Sequence, residues 1–174
     1  MRIPLLGLGE LSKEVLNKVK NMINSDLKKL RLYNRGTVRF PENSYNDFRD
    51  QYMAERIMDE FRDDGIQILV TKEDIYSKGS NYVFGEAEYR GPAVVSTKRL
   101  NPKFYDEEES NDLTFRRLKK EIIHELGHCF GLDHCDNEGC VMQYSSSTKA
   151  VDEKNDNFCD ECQVGISTKG LPLE

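Results

Sequence analysis

All three histidines of this 174-residue chain, His124, His128 and His134, fall within one eleven-residue stretch. All five cysteines, Cys129, Cys135, Cys140, Cys159 and Cys162, lie in the last 46 residues. The metal-binding side chains are thus gathered in the C-terminal third. That third has little hydrophobic periodicity after residue 131, so something other than an apolar core must order it. The first two thirds carry the apolar pattern and read as scaffold.

The scaffold alternates strand and helix. Residues 2–6 (RIPLL) predict a strand, with Gly7 and Gly9 as a turn. Leu11, Val15, Leu16, Val19, Met22 and Ile23 recur at helical spacing over 10–24. Leu30–Tyr33 predicts a second strand, closed by Asn34-Arg35-Gly36. Tyr45, Phe48, Tyr52, Ile57 and Phe61 predict a helix over about 44–63, ended by Gly65. Residues 66–71 (IQILVT), Tyr82–Phe84 and Ala93–Ser96 read as three more strands. An acidic loop over 105–112 precedes a helix over about 112–131, which carries Leu118, Ile122 and Leu126. This order implies an α/β (α+β) fold: one twisted, mixed, mostly parallel sheet with an antiparallel edge strand, packed by two or three long helices. At this length a single domain over 1–174 buries a sizeable core without disulfides. Its parts would be a sheet-and-helix portion, 1–131, and a C-terminal portion, 132–174.

Charge narrows the partners. The net charge is −6, and the nearest approach to a basic cluster is Lys28, Lys29 and Arg31. Nucleic acid and anionic membrane surfaces want basic patches, so neither is expected as partner. No run reaches the ~18 apolar residues of a membrane span, and the N-terminus lacks the pattern of a secretory signal. A cytoplasmic monomer is the expectation.

Residues 124–134 read HELGHCFGLDH, the pattern H-E-x-x-H-x-x-G-x-x-H. On a helix, residues four apart differ by about 40° and ~6 Å of rise, so His124 and His128 share a face and converge on one ion. Gly131 can take the left-handed conformation that ends a helix, and the turn then returns His134 as third ligand. Three neutral imidazoles suit zinc and leave a fourth position open for water. Glu125, beside the first ligand, is placed to act as general base. Two histidines on the core face of a helix would be ordinary in isolation. Here the glycine and third histidine are in register, and no other histidine exists. Met142, eight residues after His134, is the candidate for a methionine turn beneath the metal, against the plainer reading of a core gap-filler.

Cys135-x₄-Cys140 and Cys159-x₂-Cys162 have zinc-knuckle spacing, and four thiolates make a closed structural site. Two disulfides, or an iron centre, are the alternatives. Cys135 follows His134, and Cys140 precedes Met142 by two, so a metal there would clamp the segment that delivers both. Cys129 is left over and reads as a small buried hydrophobe.

Taken together, HELGHCFGLDHC, Cys140-Val141-Met142 and CDEC at 159–162 resemble the archaemetzincin family. So do SYNDFRDQYMAERI at 44–57 and DIYSKGSNYVFGEAEYRGPAVVSTKRL at 74–100. The resemblance implies a compact metzincin-like zinc metalloprotease with two zinc ions per chain. His124, His128 and His134 would hold the catalytic zinc, with Glu125 as base. Cys135, Cys140, Cys159 and Cys162 would hold the structural one. It also implies that an edge strand pairs with an extended peptide or protein substrate. Tyr82–Glu88 is the candidate, with Gly85 allowing close backbone approach. Tyr144, two residues after Met142, stands where some metzincins use a tyrosine to stabilise the transition state. The rival readings are a non-catalytic peptide-binding module on a peptidase fold and a zinc amidase acting on a small molecule.

Overall fold

Alternation along the first strand sets the layers. In the computed structural model, which describes residues 1–27 and 30–169, Ile3 and Leu5 of β1 (Arg2–Leu8) are buried on one face. Leu6 and Leu8 are buried on the other. A strand apolar on both faces belongs in the middle of a covered, parallel sheet. β1 indeed pairs in parallel with β2 (Arg31–Val38) on one side and with β5 (Ile68–Thr71) on the other. Between these in the chain come α1 (Lys13–Asp26), the short pair β3 (Tyr45–Asn46) and β4 (Gln51–Met53), and α2 (Ala54–Phe61). After β5 follow β6 (Ile75–Tyr76), β7 (Gly85–Ala87), β8 (Ala93–Ser96) and α3 (Asn111–Cys129). The C-terminal portion adds α4 (Thr148–Glu153) and α5 (Asp160–Thr168).

The main sheet has the order β2-β1-β5-β8-β7, and only β7 runs antiparallel to its neighbour. That is the mixed sheet with an antiparallel edge expected from the sequence. Ile3, Leu5, Ile68, Val70, Ala93 and Val95 join α1 and α3 in one core, which continues into Cys140, Val141, Met142 and Phe158. Leu6, Leu8, Leu69 and Val94 meet Ala54, Ile57 and Met58 of α2 on the opposite face. Among the described residues, no helix is long and apolar enough to cross a membrane. Lys28 and Lys29 of the basic run, and the last five residues, lie outside the described residues.

Several expectations need correction. The helix expected over 44–63 is real only in its second half, as α2 and a 3-10 turn over Arg62–Asp64 that ends at Gly65; residues 45–53 form the β3–β4 hairpin instead. Its aromatic spacing fitted a helix, but the rings serve other ends. Phe40 stacks on Tyr52, Tyr45 tilts against Tyr52, and Phe48 is fully exposed. Asn46 caps the turn through its side chain, and Asp50 takes a left-handed backbone at φ 52° that no helix interior allows. β1 and β2 both run further than expected. Gly7 lies inside β1, and Gly36, at φ 96°, sits at the register shift where β2 bulges against Leu5/Leu6 rather than ending. The strand expected at Tyr82–Phe84 forms three residues later, as β7 (Gly85–Ala87). Finally, the tail after 131 contains two short helices. They carry too few apolar residues to signal their period.

Candidate metal centre and cleft

α3 brings the first two histidines together. Ser110 caps its N-terminus by accepting from Leu113 N, and Thr114, Leu118, Ile122 and Leu126 bury its inner face. The helix stops at Gly131, whose φ of 85° is the left-handed turn expected there. The N–H of Gly131 donates to the carbonyl of His128, and that of Leu132 to Gly127. The chain thereby doubles back, and the His134 ring comes to 5.3 Å from that of His124 and 4.9 Å from that of His128.

The hydrogen bonds of the imidazoles test whether this triad fits a cation. His124 Nδ1 donates to Val141 O at 2.8 Å, and His128 Nδ1 donates to Leu132 O at 2.8 Å. Both protons are thus committed to carbonyls, so both Nε2 atoms present bare lone pairs, and these lie 3.0 Å apart. Two acceptors that close repel unless a cation lies between them. Tetrahedral zinc, at ~2.0–2.1 Å from each nitrogen, sets its ligands roughly 3.3 Å apart. The donor set fits. Burial lowers the pKa of all three rings, that of His124 to about 2, so they stand neutral as metal ligands must.

Glu125 lies on the same helix, buried, with its carboxyl beneath β7. Burial raises its pKa well above the usual carboxylate range, and the neighbouring carboxylates Glu121 and Glu86 push the same way. Gly85 is what admits it. A Cβ at position 85 would stand 2.6 Å from Glu125 Oε1 and 2.7 Å from its Cγ. Within the chain it is the Glu125 carboxyl that comes close to Gly85. Met142 is fully buried and packs against the bare Cα of Gly127, inside the helical turn that carries the histidines. The Tyr144 ring lies 5.2 Å from that of His134. His124, His128 and Glu125 floor an open cleft of about 930 Å³, walled on one side by Tyr82–Ala87 and on the other by 131–134 and 144–146. The outer edge of β7 pairs with no strand among the described residues.

The four cysteines gather next to the cleft. All are free thiols, with Cys135 Sγ 3.8 Å from Cys159 Sγ and Cys140 Sγ 3.7 Å from Cys162 Sγ. A disulfide needs ~2.05 Å, whereas four thiolates ~2.3 Å from a tetrahedral zinc are ~3.8 Å apart. The geometry fits the metal and not the bridges. An Asn137 hydrogen bond holds Cys159 down to about 6, while burial raises Cys135 and Cys162, a cost that a cation among them removes. Cys129 is buried in the core with its thiol pushed up by burial, as its reading as a small hydrophobe requires.

Two residues in this region had escaped sequence reasoning. Lys154 and Glu121 form a buried ion pair at 2.9 Å behind His124. Glu121 could have been found, since it precedes Glu125 by one helical turn. Lys154, thirty residues from His124, gave no signal.

Comparison with known proteins adds to this geometry. The model of peptidase family M54 matches residues 2–168. The archaemetzincin of Nanoarchaeum equitans is 42% identical over 135 residues, covering 75% of this chain and 71% of that one. That of Methanocaldococcus jannaschii is 34% identical over 98% of this chain and 96% of its own. The crystal structure of the Archaeoglobus fulgidus archaemetzincin superposes with a TM-score of 0.83 at 33% identity, covering 95% of this chain and 99% of that one. Fold, site and relatives agree on the class, a zinc metallopeptidase and hence a hydrolase. The chain belongs to peptidase family M54, the family of the archaemetzincins.

Proposed function

We propose that the chain hydrolyses peptide bonds, with His124, His128 and His134 holding a catalytic zinc, Glu125 as general base, and Cys135, Cys140, Cys159 and Cys162 holding a second, structural zinc. The observation that carries this reading is the pair of bare Nε2 atoms 3.0 Å apart beside a buried glutamate. Held by His124, His128 and His134, zinc would supply the Lewis acidity that acidifies water and polarises a carbonyl. The rest falls to the protein. Glu125 takes the proton of the attacking water on a carboxylate oxygen and hands it to the departing amine. Its raised pKa suits a group that must hold that proton between the two transfers. The free edge of β7 aligns an extended substrate by main-chain hydrogen bonds, and Tyr144, on the far wall, faces the same reacting centre.

The open cleft with an unpaired strand edge favours a peptide or protein over a small amide. Five unpaired cysteines suit a reducing, cytoplasmic compartment. One core runs unbroken from β1 to Ile166 of α5, which supports a single domain. The test is digestion of an unbiased peptide library by the zinc-loaded protein, with Glu125→Gln as the blank. The variant is expected to keep its metal and lose about 10²–10⁴ of the rate, the range of general acid–base contributions. Parent-like cleavage by the variant would refute the mechanism. A library left intact by the parent would favour the non-catalytic binding module.

A further inference from the structure

We propose that Lys154 is a positioning residue of the metal site, a buried cation that locks His124 against the methionine turn. The inference rests on His124 being a zinc ligand. The Lys154 side chain is 1% exposed, and that of its partner Glu121 is 4% exposed. Its Nζ lies 2.9 Å from Glu121 Oε1, 3.4 Å from Gln143 O and 3.5 Å from His124 Nδ1. Since His124 Nδ1 already donates its proton to Val141 O, the ammonium packs behind the ring without bonding to it. Val141 and Gln143 flank Met142. His124 therefore holds one side of the methionine turn and Lys154 the other, while Glu121 ties the ammonium back to α3 one turn before Glu125.

Attachment of α4 does not require this pair. Arg117 binds Asp152 through both carboxylate oxygens, at 2.8 and 2.7 Å. Lys120 Nζ donates to the carbonyls of Val151 and Asp152, and Lys119 pairs with Asp156. These clasps already fasten residues 151–156 to α3. Desolvating a lysine and a glutamate together is costly and often gains no stability over an apolar pair. The partners of the Lys154 ammonium belong to the site: a ligand, the turn beneath it, and a carboxylate beside the base. The metal site is where such a pair has an effect.

The experiment measures zinc affinity of the histidine site by chelator competition, together with melting temperature. It compares the parent, Lys154→Met, and the double variant Glu121→Gln/Lys154→Met. The single variant strands a buried carboxylate and is expected to melt lower and bind zinc about 10–100-fold more weakly, as loss of an outer partner of a ligand does. The double variant removes both charges. It is expected to recover the melting temperature yet keep the weakened affinity, a separation that a purely structural role would not produce. Parent affinity in the folded double variant overturns the proposal. Should neither variant fold, Lys154→Arg keeps the charge and changes the shape. Weakened zinc binding is then expected, and parent affinity overturns the proposal. A parent that holds no zinc at the histidines would instead sink the assignment of the site itself.

Discussion

Gly85 shows how much one missing carbon controls. Its Cα faces α3, and the Glu125 carboxyl fills the space where a side chain would begin. Glu125 cannot retreat, because it is buried and its backbone is fixed in the helix that carries His124 and His128. Gly85→Ala is therefore expected to displace the carboxyl while leaving His124, His128 and His134 in place. Zinc content should match the parent, and peptide hydrolysis should fall toward that of Glu125→Gln, within the ~10²–10⁴ range for a lost base. Metal analysis and turnover on the two variants side by side check this. Full turnover by Gly85→Ala would mean that the strand, and not the glutamate, gives way. Cys159 makes the complementary point. Asn137 Nδ2 donates to its sulfur at 3.3 Å, a neighbour contact that steadies a thiolate before any metal arrives.

At the scale of elements, the histidine and cysteine sites share one strap of chain. Cys135 N donates to Met142 O at 3.0 Å, Met142 N points to Cys140 Sγ at 3.4 Å, and Val141 N donates to Asn157 O at 3.0 Å. The start of α5, at Cys159, is thereby linked through the thiolates to the turn under the histidines. Cys159→Ser opens the cage from its far end and touches no catalytic group. His124 and His128 stay on α3, but His134 loses its fixed approach. Zinc at the histidines should then bind about 10–100-fold more weakly, on the scale of losing an outer partner of a ligand. Competition titration of parent and variant decides the matter. Equal affinities with the cage metal gone would show that residues 132–142 are ordered by their own hydrogen bonds, such as Leu132 N to Gly127 O.

Across the whole molecule, two ligand sets of different character stand on one frame. The histidine set opens on a cleft of about 930 Å³ and includes the exposed His134. The thiolate set is closed, with Cys140 and Cys162 buried. Zinc-replete protein is expected to carry two zinc ions per chain, and a chelator should strip the open site first. Metal analysis during timed chelation reads both numbers. One metal at most per chain, or thiolate zinc leaving first, would contradict the two-site assignment. Removal of the second ion should also lower the melting temperature more than removal of the first, because the C-terminal portion depends on it for order.

The sequence by itself determined the class and the frame. HELGHCFGLDH needs only helical periodicity and a left-handed glycine to place three imidazoles, and both are local properties. The same holds for the Cys135–Cys140 and Cys159–Cys162 spacings, and for the doubly apolar strands that demand a covered parallel sheet. What the tertiary structure alone decided lies where local signals are ambiguous or absent. Tyr45, Phe48 and Tyr52 fit a helix as well as a hairpin, and the stacking of Tyr52 on Phe40 made the choice. Gly85 was singled out as a place for a substrate backbone, but that it also seats the Glu125 carboxyl, from a helix forty residues on, had no sequence signal. Lys154 gave no sign at all. A lysine in sequence is a surface residue until packing removes it from water, and only the meeting of α3 with the segment after α4 did that. Spacing fixes what one element can present; which elements meet depends on long-range packing, and that packing settled the buried pair and the seat of Glu125.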